Sequence, residues 1–170
     1  MQNLKLPITI DPFKSAQRRL VCQGTFELSE MNRLLAACVT CEQQIDVDFT
    51  FDIDELGLTV LKGQAKTKVK LICQRCTEDF EHELAIDFCF SPVKKPEAAD
   101  ELPSYYDAIE LDENGEVNLR ELVEDELILA IPLIPRHDAE DCEAEANTVW
   151  GEIPEEEAKP NPFDVLKQLK

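Results

Sequence analysis

Gln44-Ile45-Asp46-Val47-Asp48-Phe49-Thr50-Phe51-Asp52-Ile53-Asp54 is the stretch that decides the fold class. Ile45, Val47, Phe49, Phe51 and Ile53 share one parity, and Asp46, Asp48, Asp52 and Asp54 share the other. This period of two marks a strand with one face on a core and the other in water.

The same pattern continues downstream. Gly57 and Gly63 permit turns around a short strand at Leu58 to Leu61. Ala65, Thr67, Val69, Leu71 and Cys73 then alternate with Lys66, Lys68 and Lys70. Three lysines on one face read either as a nucleic-acid stripe or as partners for the aspartates of 46–54. The second reading is preferred if the strands are adjacent, because opposite charges across a strand pair are stabilising. Phe80, His82, Leu84, Ile86, Phe88 and Phe90 face Glu81, Glu83 and Asp87 in a further strand. His82 therefore falls among core positions, as a hydrogen-bonded structural histidine.

The flanks supply the helices. Residues 1–27 read as an extended lead-in, with Lys14, Arg18 and Arg19 as its basic cluster. Ser29 is a candidate cap for a helix with Met31, Leu34, Leu35 and Cys38 at helical spacing. Pro92 to Pro103 reads as an irregular charged loop, Ala108 to Leu111 as an edge strand and Asn114-Gly115 as a turn. Asn118 opens a second helix, with Glu121 placed to close a capping box. Leu119, Leu122, Val123, Leu127, Ala130 and Ile131 form its apolar stripe, and Pro132 ends it. The expected architecture is α+β: a mainly antiparallel, twisted or partly closed β-sheet with two helices in residues 1–137, then an acidic C-terminal tail in 138–170.

Charge restricts the partners. Asp and Glu number 36 against 17 Lys and Arg, a net charge of -19. Binding bare nucleic acid means replacing counterions with Lys and Arg, and an acidic surface repels phosphate at range. Basic proteins and cations are the natural partners. No stretch is apolar enough for a bilayer, and the N-terminus lacks the parts of a signal peptide, so a cytoplasmic location with no membrane partner is expected. The odd count of 7 cysteines fits a reducing compartment.

Two C-x-x-C pairs occur. Cys38 and Cys41 sit at a helix end, with Cys38 in the apolar stripe, which reads as structure. Cys73-Gln74-Arg75-Cys76 falls between two alternating strands, where a tight turn can aim both sulfurs at one point. His137 and Cys142 are the best candidates for the remaining two ligands of a structural zinc site. Reduced, metal-free thiols are the preferred reading and the zinc site its alternative; redox catalysis ranks last, because a thioredoxin-like motif needs a βαβ setting that is absent here. No Walker loop, G-x-G-x-x-G, H-E-x-x-H or G-x-S-x-G occurs, and no catalytic residue is assigned.

Several segments together carry a resemblance: Lys5-Leu6-Pro7-Ile8-Thr9-Ile10-Asp11-Pro12, Cys73-Gln74-Arg75-Cys76, Cys89-Phe90-Ser91-Pro92, Leu122 through Pro132, Pro135-Arg136-His137-Asp138 and Lys159-Pro160-Asn161-Pro162-Phe163. In their order and spacing the chain resembles the YceD family of large ribosomal RNA subunit accumulation proteins, in its proteobacterial form. The resemblance implies a bacterial cytoplasmic protein needed for normal 23S rRNA accumulation, through synthesis, processing or stability. It supplies no active site. Members often carry a second C-x-x-C near the C-terminus, where this chain has His137 and Cys142.

The expected function is a non-enzymatic accessory factor in ribosome biogenesis. It would act through a basic ribosomal protein or an RNA-processing protein and associate with 23S rRNA indirectly. Glu121, Glu124 and Asp125 would attract the partner, with Phe163 and Leu166 as anchors. One alternative is a direct rRNA-binding module using Lys66, Lys68, Lys70 and the Arg18-Arg19 region. Another is a metal-dependent RNA-processing enzyme.

Overall fold

The structure, a computed structural model, describes residues 6–42, 44–138 and 140–142. The expected tail from residue 143 onward, with Phe163 and Leu166, lies outside the described residues.

The sheet grows from the stretch quoted above. Strand β4 (Gln44–Ile53) pairs antiparallel with β2 (Val21–Glu27) on one side and β5 (Thr59–Ile72) on the other. Strand β5 pairs antiparallel with β6 (Asp79–Val93), and β6 takes β7 (Asp107–Glu110) as a parallel edge. The order is β2-β4-β5-β6-β7, an open sheet, with β3 (Thr40–Cys41) added to the far end of β5. A separate two-stranded piece joins β1 (Thr9–Ile10) to β8 (Val117–Asn118).

One face of the sheet carries the core. Ile45, Val47, Phe49 and Phe51 are buried, as alternation requires, although Ile53 emerges at the strand end. Phe49 packs against Phe26, Phe51 and Phe88, with ring centroids 5.7–6.5 Å apart. Helices α1 (Pro12–Gln17), α2 (Asn32–Ala37) and α3 (Leu119–Ala130) contribute Ala16, Leu34, Leu119, Leu122, Val123 and Leu127 to the same cluster. Burial of this apolar surface is the main term holding helices to sheet.

The opposite face is wet and charged. Asp46 faces Lys66 across β4–β5, and Lys68 and Lys70 face Glu83 and Glu81 across β5–β6. Lys70 Nζ also lies 3.6 Å from Asp79. The lysine row thus has acids beside it on both neighbouring strands, which accounts for its spacing.

Four local expectations change. Gly63 makes no turn; it lies inside the unbroken β5, directly across from Phe88, and its missing side chain leaves room for that ring. The lead-in folds as β1, α1 and β2. Asp11 caps α1 by accepting from the Lys14 N–H at 3.0 Å, with Pro12 in the first turn. Ser29 lies within a 3-10 turn (Leu28–Glu30), so it cannot cap α2, which starts after Met31 without a side-chain cap of its own. Strand β6 runs to Val93, and a 3-10 helix covers Pro96–Glu101, where an irregular loop was expected. Helix α3 follows the reading closely. Asn118 accepts from the Glu121 N–H at 3.2 Å, and the helix ends at Ala130 before Pro132.

Among the described residues, no helix is long and apolar enough to cross a membrane.

Candidate metal centre

Cys73 follows β5 on the inward parity, so it is fully buried. The turn into β6 closes on it: its N–H donates to Glu78 O at 2.8 Å, and its carbonyl accepts from the Thr77 N–H at 2.9 Å. Thr77 has φ 67°, the left-handed conformation that a glycine commonly supplies in such a turn. The reversal brings Cys76 back beside Cys73. The Gln74 N–H donates to Pro135 O at 2.8 Å and so fastens the segment after α3 to this turn. That segment delivers His137 and Cys142.

The four residues named from sequence therefore meet. The ligand atoms of Cys73, Cys76, His137 and Cys142 all lie within 4.8 Å of one another. Cys76 Sγ and His137 Nε2 are 3.6 Å apart. Around a tetrahedral zinc, metal–ligand bonds of about 2.1–2.3 Å put donors roughly 3.5–3.8 Å from each other. The cluster needs only a small contraction to match. His137 Nδ1 is buried with no hydrogen-bond partner among the described residues, so either ring nitrogen is open to a ligand role. Three sulfurs and an imidazole form a donor set suited to zinc, and four protein ligands leave no open position for substrate. The cluster straddles the boundary expected at residues 137/138.

The protonation pattern favours metal capture. Burial pushes the Cys73 thiol up, but N–H groups of Cys76, Arg75 and His137, with the Cys76 thiol, outweigh it and bring Cys73 down to about 6. The Glu78 N–H pulls Cys76 down, yet burial and the sulfurs of Cys73 and Cys142 carry its thiol above the ordinary value. The metal-free pair thus holds one thiolate ready at neutral pH, and thiolate is the ligand form. Arg75 Nε donates to Cys142 Sγ at 2.8 Å, and its Nη2 reaches the carbonyls of His137 and Asp138 at 3.4 Å. A groove of about 700 Å³ opens beside the cluster. Phe80, His82, Arg136 and His137 line it, with Glu78, Asp79, Glu81, Asp138 and Asp141. His82 is half-buried in this wall, outside the main core.

The other pair behaves differently. Cys38 Sγ donates to Leu34 O at 3.2 Å, and Cys41 Sγ lies 3.4 Å from Thr67 Oγ1. Burial pushes both thiols up. They belong to no group of three or more metal donors among the described residues.

The acidic trio of α3 divides. Glu121 is exposed. Glu124 is 5% exposed and turned inward, which corrects its reading as a docking carboxylate. Its Oε1 accepts from the Arg33 N–H at 2.8 Å and the Leu34 N–H at 3.2 Å, and its Oε2 accepts from Arg33 Nη2 at 2.9 Å. It thereby caps α2 from a different helix. Asp125 also pairs with Arg33. A cleft of about 280 Å³ beside α3 has Phe90, Ile109, Val117 and Leu122 in its lining, with Glu110, Glu121, Asp125 and Glu126. Burial, then Asp107 and Asp125, push the Glu126 carboxyl up.

The sequence marks Glu124 only as an exposed docking carboxylate and does not mark Glu126 at all. One signal for Glu124 existed: Leu127, Ile128 and Ile131 lie three, four and seven residues ahead of it, on the same side of a helix. Its partner Arg33 lies 91 positions away and leaves no trace in the helical pattern.

A family model described as "Large ribosomal RNA subunit accumulation protein YceD" matches residues 61–170, the stretch containing all four cluster residues. A Haemophilus influenzae protein named "Large ribosomal RNA subunit accumulation protein YceD" is 46% identical over 172 residues, covering 100% of this chain and 99% of that protein. No solved structure matches the chain. With likeness over its whole length and a family match that runs from β5 through the cysteine–histidine cluster, the chain belongs to the YceD family.

Proposed function

We propose that this chain is a non-catalytic accessory factor that supports accumulation of large-subunit ribosomal RNA, and that it does so through a basic protein partner. The observation that carries the first half is its end-to-end likeness to a relative whose name states that role. Electrostatics supports the second half. The lysines that an RNA-binding reading requires face Asp46, Glu81 and Glu83 across the sheet, and Arg19 lies 3.5 Å from Asp52. Acids beside these particular cations oppose the displacement of counterions from phosphate that such binding needs. The cleft beside α3 offers the opposite chemistry. Carboxylates at Glu110, Glu121 and Glu126 stand beside apolar side chains, which suits a Lys or Arg stem with its charged head.

Zinc is the metal that best suits the cluster of Cys73, Cys76, His137 and Cys142. Its role there is structural: it would staple the segment after α3 to the β5–β6 turn.

Affinity capture from cells, with and without ribonuclease, tests the partner reading. Recovery of a defined basic protein after ribonuclease is expected, with loss of that protein when Glu121 and Glu126 are both replaced by Lys. Recovery of large-subunit rRNA that vanishes with ribonuclease, leaving no protein, would refute it. The ratio of 23S to 16S rRNA in a deletion strain tests the biological role; an unchanged ratio would refute that half.

A further inference from the structure

Among the described residues, Cys142 has the fewest contacts holding it in the cluster. Cys73 and Cys76 are fixed by a hydrogen-bonded turn, and His137 follows directly on the carbonyl bond at Pro135. Cys142 sits outside any helix or strand, and its one described side-chain hydrogen bond comes from Arg75. We propose that Arg75 is the positioning residue of the metal centre, gathering Cys142 onto the C-x-x-C turn and bringing the loaded site to zero net charge. This rests on the zinc reading above.

The geometry uses a property specific to arginine. Nε donates to the Cys142 sulfur at 2.8 Å while Nη2 of the same plane spans the carbonyls of His137 and Asp138, each at 3.4 Å. One rigid fork therefore holds the ligand and the backbone that carries the neighbouring ligand. A lysine offers a point charge on a flexible stem and cannot reproduce the fork. The charge balance points the same way. Three thiolates, a neutral imidazole and a divalent ion sum to one negative charge, and a guanidinium against one sulfur cancels it. The surrounding groove is rich in acid, with Glu78, Asp79, Asp138 and Asp141 close by. An uncompensated anionic centre would be disfavoured there.

The test uses the full chain, zinc alone and a competing chromophoric chelator. Arg75→Ala should weaken zinc retention about 10–100-fold, the usual range for loss of an outer-shell partner. Arg75→Lys should recover part of it, because it restores charge without the fork. Arg136→Ala, which removes a cation from the groove wall but no described bond to the cluster, should weaken retention much less than Arg75→Ala. Cobalt(II) gives a second readout: its thiolate charge-transfer band should lose intensity in Arg75→Ala as Cys142 drops out. Circular dichroism confirms that each variant is folded. Equal zinc affinity and an unchanged cobalt spectrum in Arg75→Ala would overturn the proposal. If the folded wild type binds neither ion, the zinc reading itself fails and the proposal falls with it.

Discussion

Replacing Glu124 with Ala should destabilise the fold far more than any neighbouring surface change. Two backbone N–H groups, those of Arg33 and Leu34, would lose their acceptor at the start of α2. Each orphaned helix-end donor costs about 1 kcal/mol. The Arg33 guanidinium is 53% exposed and can turn to water, so its lost pairing adds less than about 1 kcal/mol. The sum is roughly 2–3 kcal/mol, below the roughly 3–5 kcal/mol for breaking an ion pair buried on both sides. For a domain of this size that lowers Tm by about 4–12 °C. Glu124→Gln keeps a carbonyl oxygen for the two amides and should lose about half as much. Urea unfolding followed by circular dichroism reads both, with the exposed Glu121→Ala as a control expected within about 0.5 kcal/mol of wild type. If Glu124→Ala behaves like Glu121→Ala, the cross-helix cap has no energetic role and the derivation is wrong.

Gly63→Ala should cost at least about 2 kcal/mol by the same measurement, because the new Cβ would sit 2.5 Å from the Asp48 carbonyl oxygen and against the Phe88 ring, and backbone cannot yield cheaply. In chelated protein, ultraviolet absorbance should show one thiolate equivalent appearing near pH 6, absent in Cys73→Ser. The sign follows: with its pKa depressed in the fold, Cys73 contributes stability that is complete above the unfolded value near 9 and lost as pH falls through about 6, so this part of metal-free stability declines over that window. Chelation should raise hydrogen exchange at the described amides of 131–142 and the 73–78 turn while leaving β4 and α3 protected, because the core holding those elements lies elsewhere. Exchange rising uniformly across the sheet would show that the metal holds the whole fold.

Strand identity was legible wherever one face met the core and the other met water. The alternation at 45–51 and 65–71 is read directly into burial. Strand β2 alternates in burial but not in residue type: Gly24 stands on the inward side and Val21 on the outward side, so the sequence carries no period of two and pairing with β4 makes it a strand. At Gly63 the sequence signals a turn, whereas the deciding fact is the Phe88 ring on the next strand. The cluster was legible for a different reason: sulfur and imidazole are scarce, so few combinations exist. Glutamate is common, so nothing local separated Glu124 from Glu121 beyond its position on the helix.

That contrast between Glu124 and its neighbours bears on how so acidic a protein would choose a partner. On the sheet face, acids alternate with lysines and their fields largely cancel within a few ångströms. At the cleft beside α3 they do not cancel. Asp125 shares Arg33, but among the described residues no cation lines the cleft beside Glu110, Glu121 and Glu126, and burial, then Asp107 and Asp125, push the Glu126 carboxyl up. A cationic side chain arriving there would lower the energy of a site the fold leaves strained by like charge. The apolar lining at Phe90 and Leu122 then acts only at contact. Long-range charge would set the encounter rate and short-range burial the lifetime, so raising salt should slow association with a basic partner much more than it speeds dissociation. A phosphate backbone gains nothing from either half of this arrangement.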